Sequence, residues 1–417
     1  MKKHNLCYAQ SGGVTAVINT SAAAVIAAAK TTPAVHRVYA AQNGILGVLN
    51  EELIETWHES GKSLRQLEQT PGGAFGSCRV KLPDPNDDLV PYARLMDVFA
   101  AHDIRYFLYN GGNDSADTAM KLSAAARTLN YPLVVVGVPK TIDNDLAATD
   151  TCPGFPSAAK YVAVSIAETM LDVASMSATS TKVFVLEVMG RHAGWLAAAA
   201  GMAVPVGGGA LMILPPEVPW RRAHFVATLH RRVKKYGYAA VVVSEGLCDS
   251  KGNFLSADGT DQFAHHQLGG VAPIIADVAK HAGYKCHWGV ADYMQRAARH
   301  IASAVDAKQA VAVGEVAVQL AVQGKNAYTP VIRRLSDSPY RWRVEATSLK
   351  KVANRERKLP TTYFNREQYC ITAAGRRYLS PLIKGEAYPT YNATGLPEYA
   401  ILKKQLAHKK LPPYSAN

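Results

Sequence analysis

Short apolar runs alternate along the chain with longer stretches whose apolar positions recur at helical spacing. The runs at 6–10, 37–42, 106–110, 133–138, 182–186 and 239–244 read as strands. The stretches at 15–30, 115–129, 158–172 and 220–235 read as helices, several of them directly after a strand. That alternation predicts an α/β fold on a mostly parallel sheet. No unit of fixed period repeats along the chain. The longest uncharged stretch, 193–216, is interrupted by Pro205 and by Gly207, Gly208 and Gly209. It reads as a small-residue helix, a loop and a strand, not as a membrane span. The last third carries Pro330, Pro339, Pro360, Pro381 and Pro389. It is expected to wrap the core and to end in a loose tail after Pro412.

The residues just past each strand say more than the strand itself. The first strand leads into Ser11-Gly12-Gly13, the third into Gly111-Gly112-Asn113-Asp114-Ser115, and the fourth into Pro139-Lys140-Thr141-Ile142-Asp143-Asn144-Asp145. The fifth leads toward Met189-Gly190-Arg191 and the sixth into Glu245-Gly246. Open α/β sheets bind ligands beyond the carboxyl ends of their strands, so these five segments predict one long cleft.

The chain has 417 residues, of which 48% are hydrophobic and 19% charged. At about 150 residues per domain it should form two or three domains with a core that needs no staple. Six scattered cysteines without CxxC spacing argue against a structural zinc or a redox dithiol and point to a reducing cytoplasm. The N-terminal residues lack the apolar segment of a signal peptide. The net charge of +13 suits an anionic partner, but much of the excess is local, at 221–235 and 402–417. Those runs read first as solvated helix faces and a basic tail. With only Phe225 between its basic ends, the first run lacks the aromatic interleaving of a nucleic-acid surface.

Paired glycines at a strand–helix junction let an anion approach backbone amides at a helix N-terminus. Gly12-Gly13 and Gly111-Gly112 both have that form, although either alone is ordinarily a turn. Gly61-Lys62-Ser63 imitates the end of a phosphate loop, but Thr56 stands where the first glycine is required. An Asx turn explains one residue of Asp143, Asn144 and Asp145, not all three beside Lys140. A carboxylate there can take a proton from a substrate hydroxyl. Arg79, Lys182, Arg191 and Arg296 are candidate phosphate contacts, and Glu245 a candidate acceptor for sugar hydroxyls. His192 reads as a packing residue.

These residues stand in motifs, SGGVTAVIN, GGAFGSCR, NGGNDSADT, PKTIDND, STKVFVLEVMGR, VVVSEG and YMQRA, spread over residues 5–325. In that order they resemble the phosphofructokinases, and among them the pyrophosphate-dependent branch. The resemblance implies two Rossmann-like three-layer α/β/α domains with the active site in the cleft between them. The donor domain would take 1–140 with part of 250–310, and the sugar-phosphate domain 141–250 with about 310–345. An irregular extension would take 346–417. It implies reversible magnesium-dependent transfer of a phosphoryl group from pyrophosphate to the 1-hydroxyl of fructose 6-phosphate, in glycolysis and gluconeogenesis. Sedoheptulose 7-phosphate is a further candidate acceptor.

By the same resemblance Asp143 is the base, supported by Thr141 and Asp145, with Lys140 and Asp114 also catalytic. Gly12, Gly13, Arg79, Gly112, Asn113, Asp114 and Lys140 meet the donor. Thr141, Ile142, Asp143, Met189, Gly190, Arg191, Glu245, Tyr293 and Arg296 meet the sugar phosphate. Lys182 reaches a neighbouring subunit's site, which implies a homodimer or homotetramer, with neither nucleic acid nor membrane as partner. Magnesium is expected at Asp114, because Asn113 replaces a carboxylate usual in the branch. Asp114 and Lys140 also choose the donor: a carboxylate at 114 repels the α-phosphate of ATP, and Lys140 neutralises charge on pyrophosphate. The alternative is an ATP-dependent 6-phosphofructokinase.

Overall fold

Strands form where the chain is continuously apolar, because a parallel strand covered by helices is buried on both faces. The computed structural model describes residues 3–260 and 266–414. The first part runs β1 (His4–Gln10), α1 (Ile18–Thr31), β2 (Val35–Ala41), α2 (Ile45–Leu49), β3 (Leu53–Glu55), α3 (Gly61–Leu67), α4 (Val90–Ala101), β4 (Ile104–Gly111), α5 (Asn113–Thr128) and β5 (Val134–Pro139). The middle runs α6 (Phe155–Met176), β6 (Val183–Val188), α7 (Trp195–Ala199), β7 (Leu211–Leu214), α8 (Arg222–Tyr236), β8 (Ala239–Ser244), β9 (Ala257–Thr260), β10 (His266–Leu268), α9 (Val271–His281) and β11 (Cys286–Val290). After α10 (Met294–Ala297) and α11 (Ala304–Val322) come the hairpin β12 (Tyr328–Asp337) and β13 (Tyr340–Ser348), then the short β14 (Phe364–Asn365), β15 (Cys370–Ile371) and α12 (Ala373–Leu379).

Two main sheets result. The first has seven strands in the order β13-β12-β5-β4-β1-β2-β3, and the second four in the order β11-β6-β8-β7. β12, β5, β4, β1 and β2 run parallel to their neighbours, and only the edge strands β13 and β3 are antiparallel. The second sheet is parallel throughout. Alternate residues of one strand serve opposite cores. Cys7 and Ala9 pack with α4 and α5, while Leu6 and Tyr8 pack with α1 and α11. In the second sheet Leu186 and Val188 face α6 and α7, while Val183 and Val185 face α8 and α9. This is the expected pair of three-layer α/β/α units.

The returns of the chain differ from expectation. The segment assigned to the sugar-phosphate side, about 310–345, instead contributes β12 and β13 to the first sheet. The stretch 250–310, only part of which is expected on the donor side, gives β11 to the second sheet and the start of α11 to the packing against α1. The reason is pairing. β5 leaves an open edge that β12 joins at Tyr328–Val136, and β6 leaves one that β11 covers from Cys286–Val183 onward. The tail is docked, not loose, as far as Tyr414, which packs against the core that contains α4. Glu59 accepts the backbone amides of Lys403 and Lys404 at 3.1 and 2.9 Å. The fully buried Glu51 accepts those of Lys410 and Leu411 at 2.7 and 3.1 Å, and also meets His102. Residues 415–417 of the predicted loose tail lie outside the described residues. No helix of the described residues is long and apolar enough to cross a membrane. The basic run at 221–235 forms α8, which buries Phe225, Leu229 and Val233.

Buried Asp306 ties the two halves together. It accepts from Gly154 N at 2.8 Å, Ser157 N at 3.1 Å and Ser157 Oγ at 2.5 Å, and so caps α6 directly after the connector from the first sheet. Asp306→Ala would leave buried donors unpaired. Urea unfolding should show a loss of about 1–3 kcal/mol, the usual cost of such groups.

Candidate active site

β1 and β4 are neighbours, and the chain leaves their carboxyl ends in opposite directions, to α1 and to α5. Such a switch point opens a crevice in any doubly wound sheet. The two glycine pairs sit on either side of it. Ser115 Oγ donates to Ser11 Oγ across the gap at 2.8 Å. The 72–79 loop closes over this floor: Gly12 N donates to Cys78 O at 3.0 Å, and Ser77 Oγ donates to Gly12 O at 2.7 Å. The N-terminus of α5 opens on the same crevice at Gly112 and Asn113, the end of a helix that favours an anion.

The crevice continues across the second sheet as one cleft of about 1780 Å³. Its walls include Gly12, Gly13, Arg79, Gly112, Asn113, Asp114, Lys140, Thr141, Ile142, Asp143, Met189, Arg191, Glu245, Tyr293 and Arg296, all expected from the sequence. Gly190 is expected too but serves through its backbone. Its φ is +134°, a conformation that favours glycine, and its amide donates to Glu245 Oε1 at 3.2 Å. Met189 N likewise donates to Gln295 Oε1 at 3.2 Å. Lys182 lies outside this cleft, at the entry to β6, where its Nζ donates to Ser177 O. The Gly61-Lys62-Ser63 segment starts α3, with Ser60 as its cap, and is not part of the cleft.

Cations gather over the first glycine pair. Lys140 is buried, and its Nζ donates to the carbonyls of Ser11, at 2.8 Å, and of Gly13. A side chain on Gly13 would come within 3.1 Å of Arg296 Nη1 and 3.9 Å of Arg79 Nη2. Arg296 is itself stacked 3.8 Å from the centre of the Tyr293 ring. Burial, with Arg296 and Arg79 nearby, lowers the pKa of Lys140 to about 7. Three cationic side chains thus converge beside Gly12 and Gly13.

Carboxylates gather one step deeper. Burial, then the charges of Asp145 and Glu245, pushes the pKa of Asp143 up to about 8. Burial also raises Asp145 and Glu245. Thr141 Oγ1 accepts the Asp143 amide at 3.1 Å and so shapes the turn. Asn113 Nδ2 donates to Asp145 Oδ2 at 3.4 Å, while the buried Oδ1 atoms of both residues have no hydrogen-bond partner. Cations, a base with a raised pKa and helix-end amides in one cleft are the parts of a phosphoryl-transfer site. His192 faces the cleft and stacks on Phe254, 5.8 Å between ring centres.

Several lining residues were not foreseen, Asn354 and Glu356 among them. Asn354 and Glu356 come from the C-terminal segment and border the donor end of the cleft. Asn354 Nδ2 donates to Asp117 Oδ1 at 2.9 Å, and Asp117 pairs with Lys121 at 2.9 Å. Nothing in their local sequence marks them. They are brought there by the chain's return past Leu146, which bridges to Glu356.

The chain was compared with known proteins. Residues 5–321 match the family described as Phosphofructokinase. Over 416 residues, 99% of each chain, it is 55% identical to a pyrophosphate–fructose 6-phosphate 1-phosphotransferase of Xanthomonas campestris pv. campestris. It is 53% identical over 418 residues to one from Halomonas elongata, covering 99% of this chain and 100% of that one. It also superposes with a TM-score of 0.91 on the crystal structure of a pyrophosphate-dependent phosphofructokinase from Nitrosospira multiformis. The two are 51% identical over 99% of this chain and 100% of that one.

The raised pKa of Asp143 has a consequence for stability. Between its ordinary value near 3.8 and about 8, the folded chain keeps a proton that the unfolded chain releases. Stability should therefore fall as pH rises through that window. Asp143→Asn, which never ionises, should lose this decline. Its melting temperature should exceed the parent's at about pH 8 and approach it at about pH 4, as thermal scans at the two pH values would show.

Proposed function

The chain belongs to the phosphofructokinase family, and on that premise we propose that it transfers a phosphoryl group reversibly from pyrophosphate to the 1-hydroxyl of fructose 6-phosphate. The observation that carries this is the pairing of buried Lys140 with Asp114 on the walls of one cleft. A carboxylate at 114 repels the further phosphate of a nucleotide, while Lys140 neutralises the oxygens of a compact anion. The names of its full-length relatives support the same donor.

Pyrophosphate lies over Gly12, Gly13 and Gly112, gripped by Lys140 and Arg79. The sugar phosphate lies between Met189, Gly190, Arg191 and Glu245, with Tyr293 and Arg296 on its phosphate. Asp143, in the ionised fraction that turns over, accepts the proton of the 1-hydroxyl as the oxygen attacks in line, and orthophosphate departs toward Lys140. Bringing the anion near Lys140 favours its charged form. The bonds broken and formed are similar in energy, which makes the step reversible.

Magnesium is implied by the resemblance, and the residues fit it. Asp114, Asn113 and Asp145 offer hard oxygen donors, and the Oδ1 atoms of the last two are buried without a partner. Among the described residues no cluster of three or more acidic, His or Cys groups stands ready. That suits an ion that takes most of its ligands from water and substrate phosphates. When bound it would neutralise charge on the transferred group. The six cysteines are all free thiols, which supports a reducing cytoplasm as the setting, in glycolysis or gluconeogenesis. The distance of Lys182 from its own cleft supports a homodimer or homotetramer in which it serves a neighbour.

The test is the initial rate with fructose 6-phosphate and magnesium, with pyrophosphate or ATP as donor, and with sedoheptulose 7-phosphate as second acceptor. Turnover with pyrophosphate and not ATP is expected, and a chelator should abolish it. Turnover with ATP alone would make the chain an ATP-dependent 6-phosphofructokinase. Asp143→Ala should lower kcat by about 10²–10⁴ and leave KM nearly unchanged, as the loss of a general base does.

A further inference from the structure

The loop that carries the proposed base is held from behind by the C-terminal segment. Asp143 and Asp145 face the cleft, while Asn144 between them points away and is completely buried. Its φ of +54° is the left-handed conformation, uncommon for a residue with a side chain. Something must hold it there. Asn144 Oδ1 accepts the Cys152 amide at 3.1 Å. Its other contacts come from about two hundred residues further along the chain. Arg357 donates to Asn144 O through Nε at 3.2 Å and Nη2 at 2.9 Å, and its backbone amide donates to Asp145 O at 2.6 Å. Arg357 Nη1 donates to Asp150 O at the far end of the same loop. Tyr378 completes the clamp: its hydroxyl accepts from Asn144 Nδ2 at 2.9 Å and donates to Asp150 O at 2.5 Å.

Both clamping side chains are themselves fixed. Arg357 lies 4.6 Å from the centre of the Trp195 ring, and the Tyr378 ring packs 5.1 Å from that of Trp195. Arg334 grips the Tyr378 carbonyl at 3.1 Å and pairs with Asp150 at 3.0 Å. One rigid aromatic and guanidinium block, outside the cleft, thus sets the backbone on both sides of Asn144.

We propose that Arg357 and Tyr378 are positioning residues for phosphoryl transfer, fixing the Asn144 peptide and through it the aim of Asp143 and Asp145. The C-terminal extension is then part of the catalytic apparatus, although these two side chains do not line the cleft. The inference rests on the reading of Asp143 as the base, not on which donor is used. A shift of about 1 Å in a reacting group can cost about 10²-fold in rate, so a loop free to turn at Asn144 loses turnover before it loses binding.

Tyr378→Phe removes one hydroxyl and keeps the ring. Arg357→Lys keeps the charge, and Arg357→Met removes it. All three would be made in the full chain and assayed with whichever donor drives the parent. The expected result is a kcat lower by about 10- to 100-fold with a KM for the sugar phosphate within a few-fold. Arg357→Lys should fall between the parent and Arg357→Met. Normal kcat in all three variants, or a KM that rises as far as kcat falls, would overturn the inference. So would a loss of rate that only tracks the folded fraction measured by melting. A parent that turns over while the variants match it overturns this inference alone. A parent inactive with either donor overturns the phosphotransfer reading as well.

Discussion

Everything in the cleft is arranged around a buried ammonium group. Lys140 leaves the carboxyl end of β5 and turns back under the first glycine pair, where its hydrogen-bonded contacts are the carbonyl oxygens of Ser11 and Gly13. Carbonyl dipoles solvate a cation only in part, and Arg79 and Arg296 stand close enough to make its charge harder to keep. Such a group holds its proton more firmly when an anion arrives. Gly12 sits at a φ of +71°, which favours glycine, and a side chain on Gly13 would come within 3.1 Å of Arg296 Nη1. Burial raises the pKa of Asp143 and lowers that of Lys140, so both resist carrying charge in the same pocket.

The two sheets divide the remaining work. The first supplies helix-end amides and cations from the crevice between β1 and β4. The second supplies, from the ends of β6 and β8, the turn at Gly190 and the carboxylate that receives its amide. Neither sheet alone encloses a substrate. The join between them is the connector after β5, which is anchored by Asp306 on one side and by the C-terminal block on the other.

Much of this was legible in the chain itself. The strands ending at Gln10, Gly111, Pro139, Val188 and Ser244 could be read because parallel strands are apolar throughout, and the polar residues just past them could be read because that is where such sheets bind. Boundaries shifted by a few residues; α6, for example, starts at Phe155 and not at Ala158. What could not be read was non-local. Which sheet receives β11 or β12 depends on which edge is left open, and a strand's own sequence does not record that. Asn354, Glu356, Arg357 and Tyr378 are ordinary polar residues in a proline-punctuated segment, and their importance arises only from the backbone they meet. Asn113 and Asp145 could be suspected separately, but their shared pair of unpartnered oxygens is a fact of folding.

The return of β12 and β13 bears on the order in which the molecule is made. The strands of the second sheet occupy one uninterrupted span, from Val183 to Val290. The first sheet begins at His4 but receives its last strand only at Ser348, and its β3 edge is covered by a tail held at Lys403 and Lys410. On a ribosome, which delivers the chain from its amino end, the unit begun first is therefore the one finished last. Its early strands must wait, with an open edge beside β5, while all four strands of the second sheet emerge.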